Sequence, residues 1–109
     1  MRIDNIPFQT TDWLSVAPTS HKGDAGLATW RTKQFDDIRV RLVDYSPGYV
    51  ADHWCSKGHI IFCVDGAMTT ELKDVRSFEL KAGQSYQVAD NDGAHRSRSI
   101  SGARLFIVD

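Results

Sequence analysis

From residue 27 onward, apolar and polar positions alternate in short runs. The stretches "LATWRTKQF" (27–35) and "IRVRLVDY" (38–45) change character at nearly every position and favour β-branched and aromatic residues, so each predicts a strand. Two aspartates at 36–37 make the turn between them. "HIIFCVDG" (59–66) is almost wholly apolar and ends in Asp–Gly, which predicts a buried strand closed by a turn. "AMTTEL" (67–72), "SFEL" (77–80), "SYQVA" (85–89), "HRSRSI" (95–100) and "ARLFIVD" (103–109) follow at regular spacing, separated by short turn signals such as "DNDGA" (90–94). Eight or nine short strands argue an all-β sandwich or barrel. The one helix candidate, residues 11–16, is a turn or two at most.

Residues 1–26 read differently. They hold two of the three prolines and the polar cluster "TSHKGDAG" (19–26), which predicts a loose lead-in anchored on the body by Phe8, Trp13, Leu14 and Val16. The expected organisation is this lead-in (1–26) followed by the β domain (27–109).

Composition narrows the partners. At 41% hydrophobic, 25% charged and a formal net charge of -1, the chain has the profile of an ordinary globular protein. No basic run exceeds two residues, so nucleic acid has no electrostatic footprint here. No stretch approaches the roughly 20 apolar residues of a membrane helix, and the N-terminus lacks the apolar core of a signal peptide. A cytoplasmic protein with reduced cysteines is the expectation.

The chemistry concentrates in "DHWCSKGH" (52–59). In an extended strand His53 and Cys55 share a face, and His59 has the same parity. One wall could then present two imidazoles and a thiol, donors that suit zinc first, with nickel or iron next. His95, opening a strand after a Gly-containing turn, is a fourth donor, and Ser97 and Ser99 share its face. Two readings stand at this point. Either the four converge on a divalent ion, or the histidines are hydrogen-bonded strand residues and Cys55 is a small buried hydrophobe. Arg39 and Arg41 read as a solvated face, with an inward Arg41 able to clamp an acidic substrate. Tyr45, Tyr49 and Tyr86 read as barrel-lining or core aromatics, Asp52 as a surface acid, Trp54 as packing or an oligomer contact, His21 as an exposed loop residue and Cys63 as core.

"PGYVADHWCSKGHIIFCVDG" (47–66) resembles the first motif of the cupin superfamily, with Gly48, His53, Cys55, His59 and Gly66 at its marked positions. "GQSYQVADNDGAHRSRS" (83–99) resembles the second motif through Gly83 and His95. More narrowly, the chain is similar to the small bacterial single-domain proteins known for a DHCW motif, although the order here is Asp–His–Trp–Cys. The resemblance implies a single-domain jelly-roll β-barrel, a metal held by His53, Cys55, His59 and His95, and pairing as a homodimer along the 27–35 segment. Cys55 stands where the motif has a second histidine, and His59 where it has an acid. The substitutions keep good ligands but sever the link to any known reaction. Two functions are implied: a metal-dependent oxygenase, isomerase or lyase acting on a small polar metabolite, or a non-enzymatic module for a small ligand with a structural metal or none.

Overall fold

The computed structural model describes residues 2–109; Met1 of the lead-in lies outside them. Among those residues the chain is built almost entirely of antiparallel strands. They run β1 (Thr19–Lys22), β2 (Leu27–Phe35), β3 (Ile38–Tyr45), β4 (Tyr49–Val50), β5 (His59–Leu72), β6 (Ser77–Lys81), β7 (Ser85–Val88), β8 (His95–Ser99) and β9 (Ala103–Val108). A single 3-10 turn at Trp13–Ser15 falls inside the stretch that carried the helix signal. Among the described residues no helix is long and apolar enough to cross a membrane.

Hydrogen bonding orders the strands β1-β2-β3-β9-β5-β8-β4, with β6 and β7 also on β5. β5 pairs with β9 and β7 through its first half and with β6 and β8 through its second. It therefore belongs to both sheets of an all-β jelly roll. The alternation pattern predicts two strands here, divided at Asp65 and Gly66, whereas the structure has one strand of 14 residues with a bend. Register supplies the reason. Cys63 pairs with Leu105 but Asp65 with Arg104, so Val64 is an inserted residue. A bulge of one residue reverses side-chain parity. Ile61 and Cys63 point into the core before it, Met68 and Thr70 after it.

Gly66 completes the bend at φ 74°, a left-handed conformation, and a Cβ there would collide with the Gly102 carbonyl oxygen. Gly66→Ala is expected to destabilise the fold by about 2 kcal/mol or more. A urea midpoint equal to wild type would show that the bend does not need glycine.

β2 and β3 form a hairpin with Phe35 opposite Ile38, closed by Asp36 at φ 54°. The predicted limits of both strands hold. The lead-in is more ordered than its composition suggests, because Thr19–Lys22 pairs with Leu27–Trp30 as β1. The expected open edge along 27–35 is thereby reduced to the part beyond Trp30. Of the four expected anchors, Trp13 sits edge-on to Phe106 and Val16 is half-buried, and Arg31 Nη1 donates to the carbonyls of Leu14 and Val16. The Phe8 and Leu14 side chains are exposed and anchor nothing.

The core between the sheets includes Val43, Ile61, Cys63, Met68, Leu105 and Ile107. Both cysteines are free, and Cys63 is buried as expected. Going toward one end of sheet β1-β2-β3-β9-β5, the inward face changes from apolar to polar. Along β3, Tyr45 and Val43 give way to Arg41 and Arg39; along β5, Cys63 and Ile61 give way to His59. That end carries the candidate site.

Candidate functional site

His53, Cys55, His59 and His95 all line one cavity of about 110 Å³. His59 opens β5 and His95 opens β8, so the two imidazoles reach the cavity from strands that the jelly roll brings together. Their ring centroids are 4.7 Å apart at an interplanar angle of 69°. Cys55 joins through the backbone. Its N–H donates to the His95 carbonyl at 2.8 Å, and the His95 N–H returns the bond at 2.9 Å.

Residues 52–58 are not a strand. The chain bends at Asp52 and His53 and makes only that isolated bridge at Cys55, so face parity does not govern this segment. Its geometry comes from the bridge and from Asp90, whose carboxylate accepts the Gly58 N–H at 2.7 Å. A Cβ at residue 58 would overlap the Ala89 and Asp90 backbone, which is why glycine stands there. His53 consequently lies at the rim, its side chain 66% exposed, with Nδ1 2.6 Å from Asp52 Oδ1. Asp52 is thus a partner of a candidate ligand as well as a surface acid. A carboxylate on Nδ1 fixes the tautomer and leaves Nε2 as the electron-pair donor.

His95 is the most informative residue. It is only 3% exposed, and both ring nitrogens are buried without a hydrogen-bond partner. A buried imidazole costs free energy unless something meets its polar atoms. Burial also lowers its pKa, opposed in part by the nearby Gly93 backbone, which meets neither ring nitrogen with hydrogen-bond geometry. Burial, reinforced by the neighbouring His95, pushes the His59 imidazole down to about 4. Its Nε2 lies 3.1 Å from the Tyr86 hydroxyl. Both rings are therefore neutral at pH 7, the state in which imidazole binds a metal. No group of three or more His, Cys, Asp or Glu side chains among the described residues is drawn tightly enough together to hold an ion. The orphaned His95, the neutral His59 and the Cys55 thiol on the same wall fit a late transition ion in their chemistry, whereas His53 stands at the exposed rim.

The lowered His59 pKa has a sign that can be checked. A histidine whose folded pKa lies below its ordinary 6.5 stabilises the fold fully above pH 6.5, and the contribution is lost as pH falls toward about 4. Metal-free protein is expected to lose up to about 3 kcal/mol over that window. Urea midpoints at pH 7 and pH 4.5 test it, and a flat profile would contradict the burial of His59.

Arg39 and Arg41 are not a solvated face. Arg41 is 7% exposed and points into the cavity. Its Nη2 lies 3.0 Å from Asp109 Oδ2, and its guanidinium carbon 4.5 Å from the Trp30 ring centroid. Arg39 grips the same carboxylate through both oxygens at 2.9 Å. Burial opposes the Asp109 charge, but the Arg39 hydrogen bond and the two guanidinium charges outweigh it and hold its pKa below the usual range. Trp30 is stacked by His21 at 3.8 Å, so His21 is a half-buried strand residue and not an exposed loop residue. Tyr45 and Tyr49 line the cavity as a stacked pair 4.3 Å apart. Trp54 lies between Arg96 and Lys73, consistent with packing.

Trp30 and Asp109 carried no signal in the sequence. The parity of Arg41 with Val43 and Tyr45 pointed inward, yet Ile38, Val40 and Leu42 supply an equally apolar opposite face. A larger groove of about 590 Å³ lies outside the cavity, shares only His59 and Asp109 with it and holds no cysteine. The donor chemistry is in the smaller space.

No protein-family model matches the chain. No curated protein matches it. Solved structures do. A predicted oxalate decarboxylase from Thermotoga maritima is 11% identical over 92% of this chain and 96% of that chain, with a TM-score of 0.75. A sugar phosphate isomerase from a cupin superfamily, from Silicibacter pomeroyi, is 14% identical over 92% and 74%, with a TM-score of 0.71. Ectoine synthase from P. lautus is 15% identical over 93% and 76%, with a TM-score of 0.71. At these identities the likeness is one of fold.

Proposed function

The chain has the cupin fold, and from it we propose a small cytoplasmic protein that binds a divalent ion, zinc first and nickel or iron next, through His59 and His95, with Cys55 and His53 completing the set. The observation that carries this reading is the buried His95 ring with both nitrogens unpartnered beside the neutral His59. Cys55 would bind as the thiolate, which a reducing compartment keeps available.

An ion there would act as a Lewis acid toward an oxygen of a small polar metabolite, or lower the pKa of a bound water. The protein's own residues would do the rest. Tyr45 and Tyr49 line the cavity as a stacked pair, Tyr86 holds His59 in place through its hydroxyl, and Asp52 holds His53 in the tautomer that frees Nε2. A metal-dependent isomerase, lyase or oxygenase fits this arrangement. The non-enzymatic module is favoured by one observation, the lack of three converging donors among the described residues.

Cobalt(II) titration of metal-free protein separates the two. A thiolate-to-cobalt charge-transfer band that Cys55→Ser abolishes, together with turnover of some member of a small-metabolite panel, supports the enzyme. Cobalt uptake with no turnover supports the module. The homodimer remains part of the proposal, using the sheet edge beyond Trp30 that β1 leaves uncovered. A monomeric mass by light scattering at micromolar concentration would remove it.

A further inference from the structure

Opposite in character to the imidazoles, the cavity has a cationic wall. Two guanidiniums, Arg39 and Arg41, share one carboxylate, Asp109, whose side chain is 1% exposed. Arg39 donates to both oxygens of that carboxylate, and Arg41 Nη2 donates to one of them. Among these three side chains two positive charges meet one negative. The Arg41 Nε–H is buried and has no hydrogen-bond partner.

We propose that Arg41 is the anchor for the carboxylate of a small ligand, so that this cavity takes short-chain carboxylates. The inference rests on reading the cavity as the ligand site, and is independent of whether the histidines hold an ion. A guanidinium edge presents parallel N–H donors that match a carboxylate better than any neutral group. An ammonium ligand would face a like charge. Trp30, itself stacked by His21, packs its ring 4.5 Å from the Arg41 guanidinium carbon.

Size sets the chain length. The cavity, about 110 Å³, is smaller than the ~150 Å³ that accommodates benzene, which limits the ligand to a few heavy atoms.

The experiment is a titration of full-length, 15N-labelled, chelator-treated protein with propionate and with the isosteric neutral propionamide, following the arginine Nε–H resonances. Propionate should shift the Arg41 Nε–H saturably, and propionamide should leave it in place. Arg41→Lys should weaken propionate binding by about tenfold or more, because the fork is lost while the charge stays. Equal shifts with propionamide, or shifts confined to the exposed Arg76 and Arg104, would overturn the anchor, and the wild-type data decide this even where the variant fails to fold. Zinc uptake is measured on the same samples. A propionate response without zinc uptake removes the metal reading and supports the anchor, and zinc uptake without a propionate response does the reverse.

Discussion

His95→Ala should weaken zinc binding by more than about 100-fold while leaving metal-free stability close to wild type. The first half follows from the position of the residue. Loss of partners that merely orient a ligand costs about 10–100-fold, so loss of a ligand itself should cost more. The second half separates this site from a packing role. A buried imidazole with both nitrogens unpartnered carries a desolvation cost in the metal-free fold, and removing it relieves that cost while opening a small cavity. The two effects oppose each other. A purely structural histidine would instead be destabilising to remove. His21→Ala, which touches Trp30 and none of the four donors, should keep the metal. Zinc-dependent shifts in thermal midpoint for the three proteins provide the comparison, and full zinc stabilisation of His95→Ala would rule the ligand role out.

Asp109→Asn should destabilise the fold by roughly 3 kcal/mol, because it leaves the buried Arg41 guanidinium beside Arg39 with no counter-charge. Arg39 is partly exposed and can turn to water, but Arg41, 8% exposed in its side chain, cannot. The matched control is Asp44→Asn. Asp44 makes a similar pair with Arg104, but both side chains are more than a third exposed, and the expected loss is below about 1 kcal/mol. The pH dependence adds a signature. Asp109 has its pKa held below 3.8, so its contribution is present above that value and is lost as pH falls further. Asp109→Asn should therefore lose stability at pH 7 and give a flatter profile below pH 4. Equal costs for the two substitutions in urea unfolding would mean that Asp109 is no more than a surface partner.

Strand existence was legible wherever one local pattern decided it. β2 and β3 carry uninterrupted alternation and a two-residue turn, and their limits are those the pattern predicts. β1 and β4 are strands only because a neighbour pairs with them, and neither the polar "TSHK" nor two residues after a Pro–Gly turn announces that. β5 looked like two strands because Asp–Gly is a turn signal in isolation. The bulge at Val64 is a property of its pairing with β9 and is invisible without the partner.

The site was half legible for the same reason. His59 and His95 each open a strand, so their strand parity and the second-motif resemblance led to the same cavity. Strand parity puts His53 and Cys55 on one face, but their segment is not a strand, and their place on the cavity wall depends on the Cys55–His95 bridge instead. Arg41 was ambiguous because β3 is apolar on both parities: Ile38 and Leu42 are buried beside Val43. Asp109 pairs with residues 68 to 70 positions away, a separation that no local pattern encodes.

The most direct test is the zinc stoichiometry of untagged protein, measured by elemental analysis as purified and by titration after chelation. The account predicts one ion per chain, with affinity falling as pH drops and protons compete for imidazole and thiolate. Protein that carries no metal and takes up none on titration would contradict it.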